Sequence, residues 1–153
     1  MKKLKKVTAA LAAATMVTSC AGVVTSADEV VNAVNVSYST VAETFTAADG
    51  TVVPAGATAV TLSIENNTGF SASDITLNAT ADLLGVDGIV AATNGSAYGD
   101  AIVSAAQNGS KVVVTSASLD NSKNDGTLVT LYTTSDAKVT VEDASFESVK
   151  NNE

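Results

Sequence analysis

The sequence predicts an all-β fold, a two-sheet antiparallel sandwich of about nine strands, and three observations carry that prediction. Apolar and polar residues alternate at period two along most of the chain beyond residue 27. Turn chemistry, mostly Asp-Gly and Asn-Gly pairs, interrupts the alternation at short intervals. No window beyond residue 27 keeps a helical period for three turns, and the heavily used Thr and Ser suit strands better than helices. A single closed barrel is the alternative arrangement of the same strands.

Each run justifies a strand in turn. Val34, Val36 and Tyr38 alternate with Asn35 and Ser37, and Val60, Leu62 and Ile64 alternate with Thr61, Ser63 and Glu65. Ile75, Leu77 and Ala79 alternate with Asp74, Thr76 and Asn78; Val139 and Val141 alternate with Lys138, Thr140 and Glu142. Lys111-Val-Val-Val-Thr and Leu128-Val-Thr-Leu-Tyr stay apolar for longer, as strands near the middle of a sheet do. Asp49-Gly50, Asn66 to Gly69, Asp87-Gly88, Asn94-Gly95, Asn108-Gly109 and Asp125-Gly126 supply the turns. The six rings, Phe45, Phe70, Phe146, Tyr38, Tyr98 and Tyr132, read as core or core-edge packing, and residues 147–153 form a polar tail.

The first 27 residues have a different character. Lys2, Lys3, Lys5 and Lys6 precede an apolar stretch from Val7 to Val17 and then a run of small residues. That is the layout of a secretory signal, too short to span a bilayer that needs roughly 20 apolar residues. It predicts a secreted, extracellular product with the folded domain over residues 28–146. Two cleavage sites compete. Val17-Thr18-Ser19-Cys20 looks like a lipobox that would leave Cys20 acylated as a cell-surface anchor. Thr25-Ser26-Ala27 suits ordinary signal peptidase, which the missing Leu at the start of the lipobox favours. No transmembrane segment is expected elsewhere.

Composition then narrows the function. The chain has 8 Lys, no Arg, no His and 16 acids, for a net charge of −8. Four of the lysines lie in the leader, so four lysines face sixteen acids beyond it. Such a polyanion repels nucleic acid and lacks a polybasic membrane patch. With no His, and Cys20 the sole cysteine, Ser-His-Asp and Cys-His pairs and His/Cys zinc sites are excluded. The carboxylates are scattered through turns and outward strand positions rather than paired for glycoside hydrolysis. Non-catalytic function is the expectation.

Asp120 to Gly126 resembles a calcium loop only superficially. Counting back from Gly126, the ligand positions hold Asn121, Lys123 and Asp125, and an ammonium cannot ligate a cation. The segment reads as a polar hairpin loop, and no metal or other cofactor is expected. A carbohydrate-binding module is one rival reading, with Tyr98 in the Gly95-Ser-Ala-Tyr-Gly99 loop as the ring free to stack on a sugar. A purely structural surface or adhesin domain is another.

One stretch is more specific. Gly56 to Phe70 (GATAVTLSIENNTGF), then Ser71-Ala-Ser-Asp74-Ile-Thr-Leu, then Leu83-Leu-Gly-Val86, resembles the cohesin family, the receptor modules of cellulosome scaffolds. Lys111-Val-Val-Val-Thr-Ser, an acidic loop and Asp125-Gly-Thr-Leu-Val-Thr-Leu are similar to the family's paired late strands, so the resemblance spans residues 34–145. It implies a nine-stranded jelly-roll sandwich that binds a dockerin module through one exposed sheet face, with the calcium carried by the dockerin. The family's Asp contact matches Asp74, the Asn two places earlier is replaced by Ala72, and further contacts fall near Ser116 and Leu119. That departure resembles divergent, ruminal cohesins more than type I modules. Independently, the pleat places Ala72, Asp74 and Thr76 on one side of their strand, opposite Ile75 and Leu77. The resemblance thus implies a single-module, monomeric dockerin receptor contacting its partner through Ala72, Asp74, Thr76, Ser116 and Leu119.

Overall fold

A computed structural model describes residues 16–17 and 33–148; Cys20, the rest of the leader and the residues beyond Ser148 lie outside the described residues. Among the described residues there are thirteen strands and no helix. In chain order they are β1 (Met16–Val17), β2 (Ala33–Thr40), β3 (Phe45–Thr46), β4 (Val52–Val53), β5 (Thr58–Glu65) and β6 (Phe70–Ala79). There follow β7 (Gly85–Val86), β8 (Ile89–Val90), β9 (Ala92–Asn94), β10 (Ile102–Asn108), β11 (Lys111–Ser122), β12 (Gly126–Thr133) and β13 (Val139–Glu147). The surplus over the expected nine comes from the two- and three-residue strands, which are too short for an alternation to register.

Two main sheets form, with strand orders β1-β2-β5-β12-β9 and β13-β6-β11-β10-β8-β7, and β3-β4 stands apart as a small hairpin. Every strand pair is antiparallel. The chain changes sheet between β5 and β6, β8 and β9, β9 and β10, β11 and β12, and β12 and β13. The loop from Asp120 to Gly126 is therefore a sheet-to-sheet crossing and not the hairpin expected from its polarity. It is latched to the β5–β6 turn: the Asp125 carboxylate accepts the Asn67 backbone N–H at 2.8 Å, and Asn67 Nδ2 donates to the Asn124 carbonyl at 2.9 Å.

Between the sheets the expected alternation becomes the core. Val34 and Val36 of β2, Val60, Leu62 and Ile64 of β5, and Leu128, Val129 and Leu131 of β12 face Ile75 and Leu77 of β6, Val112 and Val114 of β11, and Val139 of β13. Each such side chain contributes roughly 1.5–3 kcal/mol by leaving water. The two long apolar runs do lie mid-sheet, β11 between β6 and β10, and β12 between β5 and β9. In β12 the ladder to β5 shifts between Thr127 and Val129, a bulge that lets the consecutive Leu128 and Val129 both bury. Tyr38 joins the sheets: its hydroxyl donates to the Val139 carbonyl at 3.1 Å and accepts from the Val139 N–H at 2.8 Å.

A second, smaller apolar cluster covers part of the opposite side of the first sheet. Val41, Ala47, Val53, Ala57, Ala59, Ala91 and Tyr132 are buried there, and the β3-β4 hairpin brings Phe45 edge-on to Tyr132 at 5.2 Å. Among the described residues the outer side of the second sheet has no such cover.

Gly95 belongs to an Asn-Gly pair, yet it is not needed for a positive φ. A Cβ built there would lie 2.1 Å from the Thr127 carbonyl oxygen, so the requirement is close backbone approach at the β9–β12 junction. Gly95→Ala is expected to cost about 1–3 kcal/mol through forced backbone displacement, read as a lower urea midpoint with an unchanged slope. An unchanged midpoint would mean the junction is looser than described.

Candidate docking face

The outer side of the second sheet is where the predicted site residues are tested. Ile75, Leu77 and Ala79 are buried, so the pleat sends Ala72, Asp74, Thr76 and Asn78 to the other side; Asp74 is exposed and its neighbours are half-buried. The ladders extend this side laterally. Asp74 stands opposite Thr115 of β11 and Ser145 of β13, and Thr115 stands opposite Ser104 of β10. Ala72 stands opposite Ala117 and Glu147, and Ala117 opposite Ile102. Thr76 stands opposite Val113 and Asp143, and Val113 opposite Ala106.

Among the described residues, the middle of this face around Asp74 carries small side chains and no ring. A shallow groove between β6 and β13 is lined by Ala72, Asp74, Ser145 and Glu147. At the end of β11 the ladder to β6 is interrupted between Ala117 and Ser122, and that excursion carries Leu119 at 93% exposure. Leu119 thus stands at the margin of the face, within the same strand as Thr115 and Ala117.

Ser116 is a correction. It is only 7% exposed and points to the interior, because Val112 and Val114 are buried and residue 116 shares their parity. Its hydroxyl lies 2.7 Å from that of Ser73, which lies 3.0 Å from the Tyr98 hydroxyl. The residues of β11 that do face outward are Val113, Thr115 and Ala117, and the same parity in the sequence could have found them.

Tyr98 is the second correction. The carbohydrate-binding reading needs it as a free ring for sugar stacking, but it is 1% exposed, in line with the core packing expected of the six rings. Successive short backbone bonds (Tyr98 to the Gly95 carbonyl, Gly99 to Ser96, Ala101 to Tyr98) wind the loop inward. The ring then packs edge-on against Phe70 at 5.9 Å, and Phe70 against Phe146 at 5.0 Å. A loop flanked by glycines looks mobile in sequence; the close approach of Gly95 to β12 is what pulls this one against the core.

A second depression lies beside β8 and β10, lined by Asp82, Leu83, Ile89 and Gln107 among others. Its amide is already engaged: Gln107 Oε1 accepts from the Leu83 N–H, and Nε2 donates to the carbonyls of Ala81 and Gly109. This is a strut between loops rather than a ligand site. No group of three or more potential metal-ligating side chains occurs among the described residues.

Burial raises the Tyr98 hydroxyl above its ordinary range, with the bonds to Ser73 and Ser116 pulling the other way. A folded-state value above the unfolded one means that the contribution to stability is complete below about pH 10 and is lost as pH climbs toward the raised value. Tyr98→Phe is expected to remove an ionisation above the ordinary tyrosine range from an ultraviolet titration and to flatten the alkaline loss of stability. It should cost about 0.5–1.5 kcal/mol at neutral pH for the hydroxyl bond. Loss of an ionisation in the ordinary tyrosine range, about pH 10, would place the ring in solvent.

No family model, curated protein or solved structure matches this chain significantly.

Proposed function

We propose that this chain is a secreted, non-catalytic recognition domain that docks a dockerin-type module on the outer face of its second sheet, as a divergent cohesin would. The observation that carries the reading is the position of Asp74. The residue that matches the family's contact Asp stands exposed on a level, ring-free face whose neighbours are small. Small side chains let a partner's backbone lie close, and an exposed carboxylate accepts charge-assisted hydrogen bonds.

The strand arrangement is compatible with the jelly-roll that the resemblance implies, since two packed antiparallel sheets exchange the chain repeatedly. The leader fits the same picture: export through Met1 to Ala27, with acylation of Cys20 as the route to a surface anchor if the lipobox is used. Among the described residues no helix is long and apolar enough to cross a membrane. Calcium in such a complex would belong to the dockerin, and the receptor would act as a monomer.

Immobilised domain incubated with the secretome of its own organism, calcium present, is expected to retain dockerin-bearing proteins. Asp74→Asn combined with Leu119→Ser should weaken retention by tenfold or more, about the worth of one charge-assisted bond, while leaving the urea midpoint unchanged. Retention of no dockerin, or equal retention by the double variant, would count against the docking face.

A further inference from the structure

A sheet edge can accept another chain's strand, and the edges of this sandwich differ in how they are guarded. Among the described residues the first sheet runs from β1-β2 at one side to β9 at the other, and the second from β13 to β7. β9 has three residues and β7 two, too few to template a ladder. β13 is long but defended. Its ladder to β6 shifts between Val141 and Asp143, leaving Glu142 as an extra residue, and Glu142, Asp143 and Glu147 are all exposed. At the start of β13 the Tyr38 hydroxyl engages both the N–H and the carbonyl of Val139.

β2 has none of these defences. Its eight residues include no charge, no Pro and no Gly, and they pair with β5 without a shift from Ala33 to Thr40. Alternate residues of an antiparallel strand turn their N–H and C=O groups to opposite sides, so about half of the backbone groups of β2 face away from β5. β1 meets some of them. Met16 stands opposite Tyr38 and Val17 opposite Ser37, so the leader lays a short antiparallel strand on this edge. Ala33 to Val36 have no ladder partner on that side among the described residues.

Both cleavage sites read from the leader, before Cys20 and after Ala27, lie beyond Val17. Export by either route removes β1 and opens the whole edge. Going beyond the docking face and resting on the export reading alone, we infer that β2 is a strand acceptor. The leader caps it in the precursor, and after export an extended segment of another protein adds to it as a new edge strand. That segment is uncharged where it faces β2 and carries lysine or arginine on the side turned to the second sheet. Asn35, Ser37 and Ser39 offer an amide and hydroxyls as cross-strand neighbours, which suit Thr or Ser opposite them. β13 lies against β2 across the sandwich, so the acids at its bulge sit beneath an added strand.

A second copy is the poorer occupant. Antiparallel pairing of β2 with β2 about a two-fold axis would set the two β13 edges side by side, Glu142 and Asp143 against their own copies. A helix would not satisfy the edge either, because its backbone groups bond internally. Val34, Val36 and Tyr38 are already buried, so an added strand gains chiefly main-chain hydrogen bonds.

Two synthetic peptides of about the length of β2 test this against the secreted, processed chain. One alternates Thr and Val between flanking lysines; the other has proline at every second position and cannot form a ladder. The Thr/Val peptide is expected to bind and to slow hydrogen exchange at the outward amides of β2 by about tenfold or more. Glu142→Gln with Asp143→Asn should weaken it and flatten its salt dependence. The 153-residue precursor, leader retained, should bind about tenfold more weakly, because its own strand competes from within the chain. Met16→Pro with Val17→Pro in that precursor should restore binding. Equal binding of the proline peptide, protection elsewhere than β2, or equal binding by precursor and processed chain would overturn the inference. So would a processed chain that dimerises through β2, or an intact mass showing that Met16 and Val17 stay on the secreted protein. β2 belongs to the first sheet, so failure here would leave the docking face of the second sheet standing.

Discussion

Ile75 and Leu77 have no solvent exposure at all, and the rest of the candidate site depends on that burial. A strand side chain has only two directions available, so fixing these two in the core obliges Asp74 and Thr76 to face the other way. A slip of one residue would exchange the sets, placing an unpaired carboxylate between the sheets and two large aliphatic side chains in water. The ladders to β11 and β13 on either side hold the register through seven consecutive pairs with β11, from Lys111 to Ala117. Where that pairing lapses, beyond Ala117, the strand departs from the sheet and Leu119 emerges.

The chain is poor in rings, and it places them where few can serve best. Phe70, Tyr98 and Phe146 make one edge-on cluster, Phe45 and Tyr132 another, and Tyr38 joins the two sheets while Lys138 Nζ lies 5.1 Å from its ring centre. The interior also accommodates hydroxyls, Ser73, Ser116 and Tyr98, because each satisfies another; no buried side-chain polar atom among the described residues lacks a partner. Keeping the rings inside leaves the open face level. Among the described residues the exposed large hydrophobic side chains, apart from Val52 and Leu119, are Val86, Ile89 and Ile102.

Much of this was legible from local pattern. Period two located four of the long strands, β2, β5, β6 and β13, with their inward residues, because strand burial repeats every second residue, and the apolar runs at Val112 and Leu128 marked the mid-sheet β11 and β12; β10 was not singled out. The outward side of β6 followed from the same parity. Ser116 was misplaced because a family position outweighed the parity of Val112 and Val114, which already pointed it inward. Tyr98 was misread because its burial depends on Gly95 approaching β12, a contact between segments more than thirty residues apart that no local window contains. The crossing at Asp120 to Gly126 and the neighbours of β6 are non-local in the same sense. The pairing of β10 with β11 was available from the Asn108-Gly109 hairpin; the pairing of either with β6 and β13 was not.

Cysteine accessibility tests the central claim most directly. In a Cys20→Ser background, cysteines placed singly at positions 74 and 75 differ only in which side of one strand they occupy. A soluble thiol reagent should modify position 74 of the free domain rapidly and position 75 only on unfolding, and a saturating dockerin-bearing partner should protect position 74. Equal reactivity at the two positions, or a position 74 that reacts as fast with the partner bound as without it, would contradict the account.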